Sequence, residues 1–451
     1  MENTYKVSKW VKFFQKGKKW AVFNAVTLVT YYSDDDGVEL LKSFLTPKSV
    51  SKVLIKYKND PKVKKLIDQY IEGGCLVDSK EKEAENYKEK IKAVVREKEE
   101  SFGKKTRLNS FRIVLTEKCN LRCSYCFVQR DVSKLRDMDE TTLIKALDLL
   151  IKLNGKKDVE VQFFGGEPLI KFDLIQKAVK YLDKKIEEGK LGNVFYGITI
   201  NGTLLTKEIA KFMAKKNFLV SLSIDGWKEI HDKNRKSAGG VGSFDMVIKA
   251  LDLLSEAGCE TGLLITPNND NIAVLTKCCE YFVKDLGNKF VTINTPQSVR
   301  GNWTIKGKVF SKQLEKIFKI AKKYDAVINS FASRITFALN TNQPQILSCS
   351  QFGQNYTATI TPDGKISPCI IAWQLGDNVV PINEFSYDGP FKKWKIYKPF
   401  SLPECADCEA MGFCGGPCPL ELYYAKTSGT GIDRERCKFF HESLKWAIWA
   451  K

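Results

Sequence analysis

Histidine is almost missing: only His231 and His441 occur in 451 residues. Sites that assemble several imidazoles, such as those of His-rich zinc hydrolases, are thereby excluded. No run of eighteen apolar residues exists, and the opening MENTYKVSKWVKFF has neither an apolar h-region nor a small-residue cleavage site. Neither a membrane-spanning helix nor a secretory signal is therefore predicted, and the expected location is the cytoplasm, with no membrane partner. Composition is not extreme, at 43% hydrophobic and 28% charged, which excludes a disordered or collagen-like chain.

Cysteine, by contrast, is plentiful, with 14 residues. A cytosolic thiol pool reduces ordinary disulfides, so dense cysteine spacing points to metal binding or redox chemistry. Basic residues outnumber acidic ones 72 to 53, a formal charge of +19 that would speed encounter with an acidic partner. The lysines are spread over nearly every helical pattern and form no single stripe interleaved with aromatics. That distribution argues against nucleic acid and is compatible with an acidic peptide.

The length suggests two or three cores. Residues 1–78 form a first module, with strand patterns at WVKFF (10–14), WAVFN (20–24) and TLVTYY (27–32) followed by helical ones. Asp60 supplies an N-cap, Pro61 occupies the first helical position and Gly73-Gly74 closes the last helix. Strands with three short helices predict a winged-helix-like fold. Residues 79–106 are almost all charge and read as a solvent-exposed helical linker.

Over residues 107–325, FRIVLT (111–116), VEVQFF (159–164), VFYGITI (194–200), FLVSLSI (218–224), TGLLI (261–265) and FVTIN (290–294) alternate with helical stretches. Such alternation predicts parallel βα units. Six units fit an α/β fold of the open or partial (β/α)6 barrel type, whose chemistry lies at the C-terminal strand ends. From 345 to 440 turns dominate and seven cysteines occur, which calls for bound metal to staple a loop-rich domain. Residues 441–451 are predicted to form a C-terminal helix.

Directly after the first barrel strand comes CNLRCSYCF, with Cys119, Cys123 and Cys126 in C-x3-C-x2-C spacing. Three thiolates in one loop can hold three corners of an iron-sulfur cube and leave one iron open. Zinc would need a fourth ligand from elsewhere. Cys75, Cys259, Cys278 and Cys279 fit no ligand spacing and read as packing thiols.

CNLRCSYCF resembles the signature of the radical S-adenosylmethionine (SAM) superfamily. GGEP (165–168), TNGTLL (199–204), SLSIDG (221–226) and HDKNRKSAGGVGSF (231–244) resemble further segments of its peptide-modifying branch, in the same order. The resemblance implies a [4Fe-4S] cluster on Cys119, Cys123 and Cys126. It implies SAM contacts from Tyr125, Gly166, Ser223 and Arg235, while Gly165 and Gly166 would allow close backbone approach and Glu167 would meet an ammonium group. One electron from the reduced cluster would split SAM and generate a 5'-deoxyadenosyl radical that abstracts hydrogen from the substrate.

The C-terminal cysteines resemble the SPASM extension of radical SAM enzymes that modify peptides, through C-x14-G-x4-C at Cys349, Gly364 and Cys369 and C-x2-C-x5-C-x3-C from Cys405 to Cys418. A zinc ribbon is the competing reading of the latter. SPASM implies two auxiliary [4Fe-4S] clusters, three clusters in all. The first would take Cys349, Cys369 and Cys418, and the second Cys405, Cys408, Cys414 and Cys437. One corner of the first then lacks a protein thiolate, since PQILS (344–348) contains no cysteine.

The N-terminal module resembles leader-recognition domains of maturases that act on ribosomally made peptides. Together these resemblances imply a precursor peptide with a leader, a one-electron donor such as flavodoxin or ferredoxin, and an oxidative cross-link. A Cys thioether of the sactipeptide or ranthipeptide type is the leading expectation, because the vacant corner could hold a substrate thiolate. Carbon-carbon cross-linking, formylglycine formation as in anaerobic sulfatase maturation, and a metal-stapled DNA-binding regulator are the alternatives.

Overall fold

The computed structural model describes residues 2–101, 107–128, 135–294, 305–345, 357–370, 379–388, 402–406, 408–418 and 432–450. None of the described helices is long and apolar enough to cross a membrane.

The first residues build two small antiparallel sheets. Strands β1 (Thr4–Val7), β2 (Val11–Lys16), β3 (Lys19–Asn24) and β4 (Thr30–Ser33) precede helix α1 (Asp35–Lys42), β5 (Lys48–Ser49), α2 (Val50–Lys56), α3 (Pro61–Glu72) and β6 (Leu76–Asp78). The sheet orders are β2-β3-β4 and β5-β1-β6. As its sequence suggests, Asp60 caps α3 by accepting from Lys62 N, and Pro61 opens the helix. Val22, Leu41, Phe44, Ile67, Tyr70 and Cys75 form the module's own core. Its other face belongs to the main core through Trp10, Phe23 and Leu28.

Helix α4 (Glu83–Ser101) follows. Its charge density predicts full solvation, yet Ile91 is buried, Tyr87 packs on Trp10 at 5.1 Å, and the Glu83 carboxylate accepts from Ser8 and from Lys9 N. One apolar position per few turns is enough to dock a helix that is otherwise polar.

Strands β7 (Ser110–Thr116), β8 (Val159–Gly165), β9 (Val194–Ile200), β10 (Leu219–Ser223), β11 (Glu260–Ile265) and β12 (Phe290–Ile293) are the six anticipated strands. Between them run α5 (Glu140–Asn154), α6 (Phe172–Glu187), α7 (Lys207–Lys215), α8 (Lys228–Asn234), α9 (Phe244–Ala257) and α10 (Leu275–Glu280). Burial alternates along β8: Val159, Val161 and Phe163 enter the core, while Glu160, Gln162 and Phe164 face the other side and are half-buried.

The sheet is wider than six strands. After α11 (Gly307–Tyr324), β13 (Val327–Asn329) and α12 (Phe331–Thr341) continue the alternation past residue 325. From the loop-rich segment, β14 (Thr357–Ile360) pairs parallel with β7, and the hairpin β15 (Lys365–Ser367) and β16 (Val380–Pro381) extends that edge. The order is β13-β12-β11-β10-β9-β8-β7-β14-β15-β16, parallel from β13 to β14. At three residues β13 is too short to show a period, and β14 stands outside the βα alternation. The C-terminal helix begins earlier than residue 441: it spans Arg434–Ala447, capped by Asp433, and buries Phe439, Phe440 and Leu444.

Candidate metal centre

The loop after β7 is pinned before its first cysteine. Glu117 N donates to Arg136 O at 2.9 Å, and the nearly buried Glu117 carboxylate pairs with the Arg136 guanidinium at 2.6 Å. Farther on, Arg122 N donates to Lys236 O at 2.7 Å and Ser124 N to Asn234 O at 3.2 Å, so the cysteine loop is laced to the segment after α8. Cys119 Sγ accepts from Leu121 N at 3.4 Å and from Asn201 Nδ2 at 3.5 Å.

The end of β8 lies directly against this loop. Gly166 N donates to Thr116 O at 2.8 Å and Glu167 N to Lys118 O at 2.9 Å. A Cβ at Gly165 would fall 2.3 Å from Thr116 O, and one at Gly166 would fall 2.2 Å from Lys118 O. The sequence reading attributes these glycines to close approach by a ligand; the atoms that demand glycine here are the backbone carbonyls of the neighbouring strand end.

Burial pushes the Cys119 thiol up to about 12, and Glu167, Cys123 and Cys126 add to that rise. Cys123 is raised by burial too, with the Arg235 charge pulling it partway back. Such thiols are poor free nucleophiles and ionise when a metal displaces the proton. Among the described residues no three His, Cys, Asp or Glu side chains converge on a point that one ion could occupy. Two N–H groups, from Leu121 and Asn201, are already aimed at Cys119 and suit a thiolate there, as a cysteine that ligates an iron-sulfur cluster requires.

Around this loop stand the other predicted residues. Glu167 is buried, and its carboxylate accepts from Leu169 N at 3.0 Å and Asn201 N at 2.8 Å. Burial still raises it to about 7. Ser223 ends β10 and is buried. Arg235 is buried, pairs through Nε with Asp225 Oδ2 at 2.9 Å, and lies over the Tyr125 ring at 5.5 Å. The Tyr125 hydroxyl donates to the same Asp225 carboxylate. Asp225 is therefore the hub: Thr266 N also donates to it, at 3.1 Å. Sequence reasoning passed over Asp225, although it stands inside SLSIDG directly past the fourth barrel strand. Asn201, inside TNGTLL, was missed in the same way.

His231 is fully buried beside this hub, with Nδ1 accepting from Asp225 N at 3.3 Å and Nε2 2.9 Å from Ser243 Oγ. Burial, followed by the Arg235 charge, depresses it to about 4, so it stays neutral.

The C-terminal cysteines make a second group. Cys405, Cys408, Cys414 and Cys437 lie within electrostatic reach of one another, and burial raises Cys405 to about 12 and Cys437 to about 11. Cys369 follows β15, and Gly364, at φ 73°, makes the tight turn of the β14–β15 hairpin. Cys418 is buried, and Cys349 lies outside the described residues. Cys75, Cys278 and Cys279 are buried in apolar cores, and Cys259 Sγ lies 3.3 Å from Ala210 O.

Residues 113–276 match the model of the radical SAM superfamily. The chain is 28% identical over 333 residues to the cysteine-type anaerobic sulfatase-maturating enzyme of Clostridium perfringens, covering 66% of this chain and 85% of that one. The solved structure of native anSMEcpe with bound AdoMet and Kp18Cys peptide aligns with TM-score 0.63 at 22% identity, over 75% of this chain and 96% of that one. Streptococcus suis SuiB bound to its precursor peptide SuiA aligns with TM-score 0.55 at 17% identity, over 93% of this chain and 96% of its own. At these identities the structural likeness is one of fold.

Proposed function

Since residues 113–276 make this chain a radical SAM enzyme, we propose that it is a cytoplasmic peptide maturase that installs an oxidative cross-link, a Cys thioether, in a ribosomally made precursor. In this proposal Cys119, Cys123 and Cys126 hold the SAM cluster. Tyr125, Gly166, Glu167, Ser223 and Arg235 bound the SAM pocket. Cys405, Cys408, Cys414 and Cys437 hold one auxiliary cluster, while Cys349, Cys369 and Cys418 hold the other, for three [4Fe-4S] clusters in all. Once bound, the SAM cluster and SAM supply a carbon radical that removes one substrate hydrogen.

The observation that carries the oxidative reading is the second cysteine group, gathered in a segment separate from the loop after β7. Replacing one S–H and one C–H by a C–S bond removes two electrons and two protons: one hydrogen atom would leave with the 5'-deoxyadenosyl radical, the thiol proton would be lost when a metal binds the sulfur, and one electron is left behind. Protein-held clusters can accept it, given their range of roughly −700 to +450 mV. A flavodoxin- or ferredoxin-like protein would supply the first electron. Residues 1–78 would hold a leader by strand addition to a sheet edge. The likeness of fold to SuiB bound to its precursor peptide SuiA spans 93% of this chain and supports a peptide partner.

A second reading, oxidation of a Cys or Ser side chain to formylglycine, is favoured by the similarity to the sulfatase-maturating enzyme. Peptide mass spectrometry with thiol and aldehyde labelling separates them. Loss of two hydrogens with the thiol consumed supports the thioether; an aldehyde-reactive product supports formylglycine; loss of two hydrogens with a free thiol marks a carbon-carbon bond. Cys119→Ala is expected to abolish SAM cleavage. Cys414→Ala is expected to retain SAM cleavage and lose the cross-linked product.

A further inference from the structure

His441 stands at the second cysteine group in an arrangement that cluster ligation does not require. Its Nε2 is 3.7 Å from Cys408 Sγ. Its Nδ1 is 3.0 Å from Glu409 Oε1, and Glu409 Oε2 is 2.9 Å from Lys12 Nζ on β2. His441 follows Cys437 by one helical turn on the helix Arg434–Ala447, so the two side chains share a face. Around the same spot, Tyr87 of α4 packs on Trp10, and Gly412 lies so close to Ala25 O that a Cβ there would be 3.0 Å away. The N-terminal module, α4 and the cysteine segment therefore meet at Cys408.

The ring faces a carboxylate with one nitrogen and a sulfur with the other. When that sulfur is a metal-bound thiolate, both neighbours are acceptors, and the ring satisfies both only with a proton on each nitrogen. A carboxylate behind an imidazole also fixes its orientation, as it does for histidines at metal sites generally. Lys12 holds the carboxylate from the far side.

We propose that His441 is a positioning residue for the auxiliary cluster of Cys405, Cys408, Cys414 and Cys437, donating Nε2–H to the Cys408 sulfur and raising the reduction potential of that cluster. The proposal rests on the auxiliary-cluster assignment made above. Reduction adds negative charge to the cluster, and a hydrogen bond donated to a ligand sulfur stabilises the reduced form more than the oxidised one. Cluster potential is thereby tied to a lysine of the N-terminal sheet, the module assigned to the peptide.

The test uses the full chain in a Cys119→Ala, Cys123→Ala, Cys126→Ala background, so that auxiliary signals stand alone. Iron and sulfide are counted after anaerobic reconstitution, and the midpoint is read by EPR-monitored redox titration. His441→Leu is expected to keep the iron content and lower the midpoint by about a tenfold change in the one-electron equilibrium, about 59 mV. His441→Gln, which offers an amide N–H without charge, should recover part of the shift, and it supplies the measurement if the Leu variant fails to assemble. Lys12→Met should move the midpoint in the same direction by less. Unchanged midpoints in the His441 variants at unchanged iron content overturn the proposal. A background protein with His441 intact that takes up no iron overturns the auxiliary-cluster assignment, and this inference with it.

Discussion

The Asn201 side-chain amide donates to the Cys119 sulfur at 3.5 Å while the Asn201 backbone N–H donates to the Glu167 carboxylate at 2.8 Å. One residue at the end of β9 thus ties the cysteine loop after β7 to the acidic turn after β8. Three strand ends are held in register by two hydrogen bonds.

Asn201→Ala removes the donor to Cys119 and to Asn120 Oδ1, and the acceptor for Thr203 N. Leaving such partners unsatisfied costs about 1–3 kcal/mol. A lower melting temperature is expected, together with a more negative midpoint of the SAM cluster in an EPR titration. An unchanged midpoint would show that the amide does not reach a cluster ligand.

Asp225→Asn keeps the side-chain volume and removes the countercharge of Arg235. Breaking a buried pair by losing one partner costs about 3–5 kcal/mol, because the remaining guanidinium is left in a dry site. Denaturant unfolding should show this loss. Arg235→Leu in the same background should restore part of it, whereas additive losses would mean that the two side chains are not coupled.

Acid sensitivity follows from two buried groups of opposite sign. His231 sits at about 4 when folded and near 6.5 when unfolded, so its contribution is present above pH 6.5 and is lost as pH falls toward 4. Glu167 sits at about 7 when folded against 4.5 when exposed, so its contribution is present below pH 4.5 and is lost as pH rises toward 7. Between pH 4.5 and 6.5 the two slopes oppose. Glu167→Gln removes one of them, and unfolding measured at pH 6.5 and pH 5 should then show about 2 kcal/mol more acid destabilisation than in the parent chain.

Much of the candidate metal centre is readable along the chain because its logic is local. C-x3-C-x2-C directly after an apolar strand places three thiols in one loop, and the Asp60-Pro61 and Gly73-Gly74 signals bound α3 without help from elsewhere. Strands β7 to β12 announce themselves by apolar runs between helices. Strand β13 is too short at three residues to leave a period, and β14 stands among turns and pairs with the distant β7.

Residue identity and spacing alone therefore determined the βα alternation, the three-thiol loop and the second run of cysteines. Tertiary structure decided which groups meet: Asp225 with Tyr125 and Arg235, Asn201 with Cys119, and Lys12 with Glu409 and His441. Parallel strands in register carry residues from successive loops to one rim, and a contact across that rim leaves no periodic mark in the chain. Only the packing of separate loops against each other, where burial makes a charge or a donor demand its partner, selects those pairs.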